Sequence, residues 1–415
     1  MKILWFSNSI LSKTQSKGSG SWLFAMRDLL SDHIDLINVT DGIVKTPELN
    51  RGNGIKEYIL PRWPLKNRVP SKENISIIEK IVIDEKPDII HIWGTEKYWA
   101  LLFSRGVIDF HNVIIEMQGV ISSCVDVFYG GLTPQDYRKM VSLKSILKPS
   151  TSLHRCLGNY QKKMVDEYEV VSKFKYISTQ SEWTRGQLIT ICRHDAKFLH
   201  TLRPIRKEFI NAEKWHFQDH LSPVLFCSFS YYVPFKGFHI LLRALNELKI
   251  KYPDIKLKIA GPNILNKPFY SLTDYERYLV QYIRKHKLLD NISFLGMLNA
   301  AEIIKELHEA DVAVNPSFVE SYSAAAAESL YLGVPTVLAY AGAMVDFSSE
   351  RQVALYYNPL DYRALTAKIL QFWGDTCLRS ELTNNSIMIL SDKCDPERVC
   401  DRQLELYKKV ITENH

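Results

Sequence analysis

Short apolar runs alternate with amphipathic stretches along this chain, and the alternation is played through twice. The first half opens with a strand at 3–6, a long polar loop to Gly18-Ser19-Gly20, and a helical pattern on Trp22, Leu23, Met26, Leu29 and Leu30. Further strands read at 33–39, 58–60, 89–92, 113–116 and 175–177, with helical stretches between them. The second half repeats the scheme with strands at 224–227, 256–260, 292–295 and 312–314 and a helix over 238–249. Such alternation predicts an α/β fold with parallel sheets, because parallel neighbours need a crossover and a helix usually supplies it. Ligands of such sheets collect at the carboxyl ends of the strands.

At 415 residues the chain is long enough for two or three domains. Arg203-Pro204 and a charged, aromatic stretch interrupt the alternation between His200 and Pro223, which sets the expected domains at 1–204 and 205–394. In 395–415, Val399, Leu406 and Val410 keep helical spacing and Leu404 pairs with Tyr407, so a terminal helix is expected there.

The chemistry is densest between Val314 and Thr336. A buried strand ends at Asn315-Pro316-Ser317, Glu320 falls in the turn, and an alanine run leads to Glu328 inside a helix. A helix starting near Tyr322 or Ser323 aims free N–H groups and a positive dipole end at an anion. Glu328 then lies roughly 8 Å further along the axis, a reach that suits a ribose beside a diphosphate.

This segment resembles the signature of the family-four retaining glycosyltransferases: a Glu, seven residues, a second Glu and a Gly-x-Pro turn, here Glu320, Glu328 and Gly333-Val334-Pro335. The resemblance implies the GT-B fold, two Rossmann-like parallel-sheet domains facing across a cleft, with the terminal helix crossing back to the first. It implies that Glu320 faces the donor sugar, that Ser321, Tyr322 and Ser323 bind phosphates through their amides, and that Glu328 binds the ribose. Lys236-Gly237 matches the family's Lys-Gly, which makes Lys236 a candidate for stabilising charge on the leaving diphosphate. The family's Arg is missing, since Ser230 and Tyr231 stand in its place. Gly261-Pro262 and Gly296 match turns beside the donor and the nucleotide base, and Gly20 matches the glycine loop at the diphosphate. Gln118-Gly119 lies where relatives place a His-Gly pair on the sugar; Gln118 can position a sugar but cannot take up a proton.

Ser181 and Arg185 are cleft candidates on the acceptor side, against a plainer reading as a helix cap and a solvated arginine. His91 is equally open. Between Thr133 and Val165 seven bases, Arg138, Lys139, Lys144, Lys148, Arg155, Lys162 and Lys163, face one acid, Asp136, with Tyr137, Met140, Val141, Leu143, Ile146 and Leu147 interleaved. That pattern fits a helix on an anionic membrane surface, a solvated face, or a site for an anionic substrate.

The expected function is a retaining transferase moving a sugar from a nucleoside-diphosphate donor to a hydroxyl of a saccharide acceptor, lipid-linked as in bacterial surface polysaccharide assembly. A nucleotide-sugar epimerase of the same architecture and a non-catalytic nucleotide- or glycan-binding module stay open. No cofactor or metal is expected, because no Asp-x-Asp motif stands out, and nucleic acid is not an expected partner. Seven scattered cysteines without a Cys-x-x-Cys pair suit packed thiols in a reducing compartment. With no run of about 18 apolar residues and no secretory start, a cytoplasmic protein is expected, peripheral on the inner face of the cell membrane if the basic segment binds lipid.

Overall fold

A computed structural model describes residues 1–13, 21–140, 145 and 149–413. One sheet holds β1 (Lys2–Phe6), β2 (Asp35–Gly42), β3 (Glu48–Gly52), β4 (Ile55–Pro61), β5 (Ile89–Trp93), β6 (Val113–Glu116), β7 (Tyr176–Thr179) and β8 (Lys197–His200). The other holds β9 (Val224–Ser228), β10 (Lys256–Ala260), β11 (Ile292–Gly296), β12 (Val312–Asn315), β13 (Thr336–Ala339) and β14 (Leu355–Tyr357). The first sheet runs β3-β4-β2-β1-β5-β6-β7-β8 and the second β11-β10-β9-β12-β13-β14. All pairings are parallel except β3 with β4. Central strands such as β5 and β6 are buried along their whole length, which is why they read as unbroken apolar runs.

Strand order reverses between β1 and β5 in the first sheet and between β9 and β12 in the second. Each reversal opens a crevice at the carboxyl ends, where the two neighbouring crossovers leave on opposite faces. β3 escapes an apolar reading because ELNRG has no alternation; its antiparallel turn is Asn53-Gly54, both at positive φ (50° and 74°).

The helix Pro396–Thr412 returns to the first sheet and buries Val399, Leu406, Tyr407 and Val410 against Ile3, Trp5 and Leu30. Trp5 Nε1 donates to Tyr407 Oη at 3.0 Å. His91 belongs to this core: it is fully buried, stacks on Trp93 at 4.1 Å and bonds Tyr407 through Nδ1 at 2.8 Å. That removes it from the cleft.

Between β6 and β7 the chain reaches across to the second half, where Phe128, Leu132, Met140 and Leu153 join the core of the second sheet. His239 Nε2 donates to the Gly130 carbonyl at 2.9 Å while Nδ1 bonds Tyr275 Oη at 2.8 Å, so the ring is neutral with its proton on Nε2. Burial pushes its pKa down to about 3. Met140 and Tyr137, two of the apolar residues in the basic segment, therefore pack on protein and not on lipid. Val141, Leu143, Lys144, Ile146, Leu147 and Lys148 lie outside the described residues, whereas Arg138, Lys139, Arg155, Lys162 and Lys163 are exposed. Cys377 is exposed and the other six cysteines are buried or half-buried, all of them free thiols.

Candidate functional site: the crevice between β9 and β12

The loops leaving β9 and β12 are hydrogen-bonded to each other: Phe318 N–H donates to the Phe235 carbonyl at 2.7 Å. The first loop ends in the turn Pro234–Lys236 and is closed by Gly237 at φ +75°, with the helix Phe238–Lys251 starting at once. A Cβ on Gly237 would overlap the Pro316 carbonyl of the second loop. Only glycine fits such a close approach at positive φ. Gly237→Ala should lower folding stability by more than about 1 kcal/mol, read as a lower thermal midpoint; an unchanged midpoint would show the two loops to be less tightly packed.

This junction brings Lys236 Nζ to 2.7 Å from Glu320 Oε1, with the side chains 23% and 17% exposed. Burial pulls the Lys236 pKa down, but the Glu320 carboxylate outweighs it and the net shift is upward. Lys236 is thus firmly cationic. Gly342 and Ala343 hold the Glu320 backbone from the other side: Ala343 N–H donates to its carbonyl at 2.7 Å, and a Cβ on Gly342 would overlap it.

After Glu320 the helix Ala324–Leu332 begins, capped by Ser323, whose Oγ accepts from Ala326 N–H at 3.3 Å and from Asn315 Nδ2 at 2.6 Å. Ser323 has φ +67°, a strained state for a serine that the cap and Asn315 hold in place. The result is a positive helix end beside Lys236, an arrangement that can attract an anion. Ser321 is fixed by its carbonyl, which accepts from Ser181 Oγ at 3.1 Å and Gln180 Nε2 at 3.3 Å. Tyr322 turns its hydroxyl to Cys394 Sγ at 3.7 Å, so it can offer the crevice its amide and not its ring.

One turn on, Glu328 meets a partner that sequence reasoning missed. Arg206 grips it with Nε on Oε1 at 2.7 Å and Nη2 on Oε2 at 2.8 Å. Burial raises the Glu328 pKa, and Arg206 counters only part of that. Arg206 belongs to the interdomain stretch, where Arg203 is buried on Trp22 and paired with Glu116 at 2.9 Å. A ribose here would share the Glu328 carboxylate with Arg206 or displace it.

Gly261, Pro262 and Gly296 join the same crevice. Gly261 N–H donates to the Gly296 carbonyl at 2.8 Å, Tyr232 Oη donates to the Pro262 carbonyl at 3.0 Å, and Phe229 N–H donates to Ala260 at 2.8 Å. The loops after β9, β10 and β11 therefore form one wall. Tyr231, at the position of the missing Arg, is half exposed and bonds Tyr160 at 3.5 Å.

On the first-domain side Gln118 and Gly119 follow β6 and are half-buried. The helix after them, Ile121–Asp126, has its N-terminus filled by Glu167, which accepts from Ile121 N–H at 2.7 Å and Ser122 N–H at 3.0 Å. An internal carboxylate already occupies that helix end, so it is not open to an outside anion. Ser181 caps the helix Glu182–Leu188. Arg185 is exposed, paired with Glu182 at 3.0 Å and set over Phe198, so the structure does not gather it with the other candidates. Gly20 lies outside the described residues; the loop before it is anchored where Leu11 and Ser12 N–H groups donate to buried Glu57 at 2.6 and 3.0 Å. Among the described residues no group of three or more His, Cys, Asp or Glu side chains is arranged to hold a metal ion.

Residues 211–387 match the sequence profile of Glycosyl transferases group 1. The chain is 26% identical over 172 residues to a glycogen synthase of Mycobacterium tuberculosis, a match covering 41% of this chain and 39% of that protein. It is 34% identical over 128 residues to an uncharacterized glycosyltransferase, YqgM, of Bacillus subtilis, covering 31% and 33%. The matched stretches span well under half of these relatives. Similarity to solved structures is full length: 99% of this chain superposes on 99% of a sucrose-phosphate synthase from Thermosynechococcus elongatus (TM-score 0.72, 14% identity). The same share superposes on all of HepE from Anabaena, solved with UDP-glucose (TM-score 0.68, 16% identity). The fold is GT-B, as the sequence resemblance implied.

Proposed function

We propose that this chain is a retaining glycosyltransferase that takes a sugar from a nucleoside-diphosphate donor and passes it to a hydroxyl of a saccharide acceptor. The observation that carries the reading is the convergence of Lys236, Glu320 and the capped start of Ala324–Leu332 at one strand-order reversal. Lys236 and the first-turn amides of the helix hold the diphosphate and neutralise the charge that grows as it leaves. Glu320, oriented by Lys236, faces the donor sugar, and Glu328 with Arg206 faces the ribose. Gly261, Pro262 and Gly296 border the nucleoside, and Gln118 and Gly119 close the sugar side. The structure of HepE with UDP-glucose and the group 1 domain support a nucleotide-sugar donor.

The test is a binding and turnover screen over nucleoside diphosphates and their sugars. Binding of a donor, with release of its nucleoside diphosphate only when a saccharide is present, supports transfer. Isomerised donor in the absence of acceptor would mark an epimerase. Binding without turnover would leave a non-catalytic module, and failure to bind any nucleotide would sink the proposal.

A surface-polysaccharide role with a lipid-linked acceptor extends this reading to the membrane. No described helix is long and apolar enough to cross a bilayer. The exposed Lys139, Arg155, Lys162 and Lys163 support surface attachment instead. Each base near anionic lipid contributes about 1 kcal/mol over roughly a Debye length. Vesicle binding should therefore fall steeply with salt, and Lys144, Lys148, Lys162 and Lys163 all changed to Gln should release the protein from anionic vesicles in cosedimentation. Retained binding would reduce the segment to a solvated face.

A further inference from the structure

The carbonyl of Ser321, between Glu320 and the helix Ala324–Leu332, is surrounded by side chains of the first domain. Gln180 Nε2 lies 3.3 Å from it, Ser181 Oγ 3.1 Å and Thr184 Oγ1 3.4 Å. All three residues are buried, at the turn from β7 into the helix Glu182–Leu188. The Glu320 carbonyl is taken too, since Ala343 N–H donates to it at 2.7 Å. Ala343 sits in the helical turn Gly342–Asp346, which the same first-domain stretch anchors: Trp183 N–H donates to the Asp346 carboxylate at 3.0 Å. Residues 180–184 thus tie down two successive carbonyls of this loop, one directly and one through a single intermediary.

A trans peptide is planar, with its N–H pointing opposite to its C=O. Fixing the Glu320 and Ser321 carbonyls therefore fixes the N–H groups of Ser321 and Tyr322, and turns them away from the groups that hold the carbonyls. Neither N–H has a hydrogen-bond partner among the described residues, although Ser321 is buried and Tyr322 half-buried. Backbone donors in such surroundings are nearly always paired, so these two call for an acceptor from outside the chain.

Gln180 is itself held in one orientation. Its Oε1 accepts from Arg203 Nη2 at 3.3 Å, and because arginine can only donate, the NH₂ end of the amide must face Ser321. Arg203 donates in turn to Glu116 at 2.9 Å, both side chains buried. A buried ion pair is weak evidence of stability; here it decides which end of an amide meets the loop. We infer that Gln180 and Ser181 are positioning residues for the donor diphosphate, holding the Ser321 carbonyl so that the Tyr322 N–H is preset toward the phosphates beside Lys236. The inference rests on the transferase reading, in which the amides of this loop meet the diphosphate. Ser181, a candidate for the acceptor side from its sequence, acts here on the donor side, and the first domain gains a part in binding the nucleotide of the second.

Calorimetric binding of UDP, ADP and GDP to the full chain tests it, with uridine, adenosine and guanosine titrated by saturation-transfer NMR for comparison. At least one diphosphate should bind the wild type more tightly than its nucleoside. Gln180→Leu removes the donor and keeps the bulk; it should weaken the diphosphate about threefold to tenfold, the value of one hydrogen bond, and leave the nucleoside unchanged. Ser181→Ala should do the same, and Ser181→Thr, which keeps a hydroxyl, should restore the affinity. A purely structural role would lower the thermal midpoint and leave the ratio of diphosphate to nucleoside affinity as it is. If Gln180→Leu fails to fold, the two Ser181 variants carry the test. An unchanged ratio in the folded variants, whether both ligands weaken or neither does, overturns the assignment, as does a wild type that binds a diphosphate no more tightly than its nucleoside. A wild type that binds none of the three diphosphates brings down the transferase reading itself.

Discussion

Lys236→Ala should slow glycosyl transfer by about two to three orders of magnitude, the cost of removing one preorganised charge donor from a developing anion. The loss has two parts. The ammonium no longer meets the leaving diphosphate, and Glu320 loses the cation that orients it at 2.7 Å. Because transition-state charge is the larger part, turnover should fall much further than donor affinity. Added Mg²⁺ should not restore the rate, since a freely diffusing cation is not held where Nζ sits. Steady-state kinetics with and without Mg²⁺ decide the matter: recovery by the metal, or sensitivity of the wild type to a chelator, would replace a lysine mechanism by a metal-assisted one. Glu320→Ala provides the comparison, because it removes the orienting partner but keeps the ammonium.

Arg206→Ala should be the most destabilising change at the site, by roughly 3–5 kcal/mol, because it strips a buried carboxylate of its only described cation. The side chains are 11% and 8% exposed, so water screens little of that penalty. At roughly 2–4 °C per kcal/mol for a domain of this size, the shift is easily read in a melt. Its pH dependence has a definite sign. Burial, the largest influence, already raises the Glu328 pKa, with Glu208 adding to it and Arg206 opposing. Removing Arg206 raises it further, so the folded state binds a proton that the unfolded state releases. The variant should therefore regain stability as pH falls through the carboxylate range and lose it as pH rises. Glu328→Ala has a different signature: donor affinity should drop by about 1.5–3 kcal/mol, the value of a charged hydrogen bond to the ribose. A double-mutant cycle separates the two effects. Additive losses would mean that the contact at 2.7 and 2.8 Å is not an energetic pair.

Much of the fold was legible because its signals are local. The strands β6 and β10 fall on the residues expected from apolar runs, and the helix holding Glu328 starts at Ala324, next to the expected residues, because Ser323 supplies the cap. The Lys236-Gly237 pair and the Glu320-to-Glu328 spacing are likewise short-range patterns. β3 was not legible as a strand, since Leu49 is its one large apolar residue and it owes its place to pairing with β4. The long helix Leu153–Val171 carries Glu167, whose role as the anion at Ile121–Asp126 depends on a contact 46 positions away.

What the sequence alone determined is the set of parts: alternating strands and helices that favour parallel pairing, and a helix start between two carboxylates. Tertiary structure decided which parts touch. Lys236 and Glu320 are 84 positions apart, brought together because strand ends converge where the sheet order reverses, whereas Arg206, 122 positions from Glu328, reaches it from the interdomain stretch. Glu96 is one acid in a polar loop until the sheet places its Oε2 over Gly94, where that atom is buried and has no hydrogen-bond partner. Spacing along a chain can encode which face of a helix or strand a residue occupies, because backbone periodicity repeats every few residues. It carries no such record of neighbours supplied by a distant crossover, and those neighbours set the charge, burial and reach of every group in the cleft.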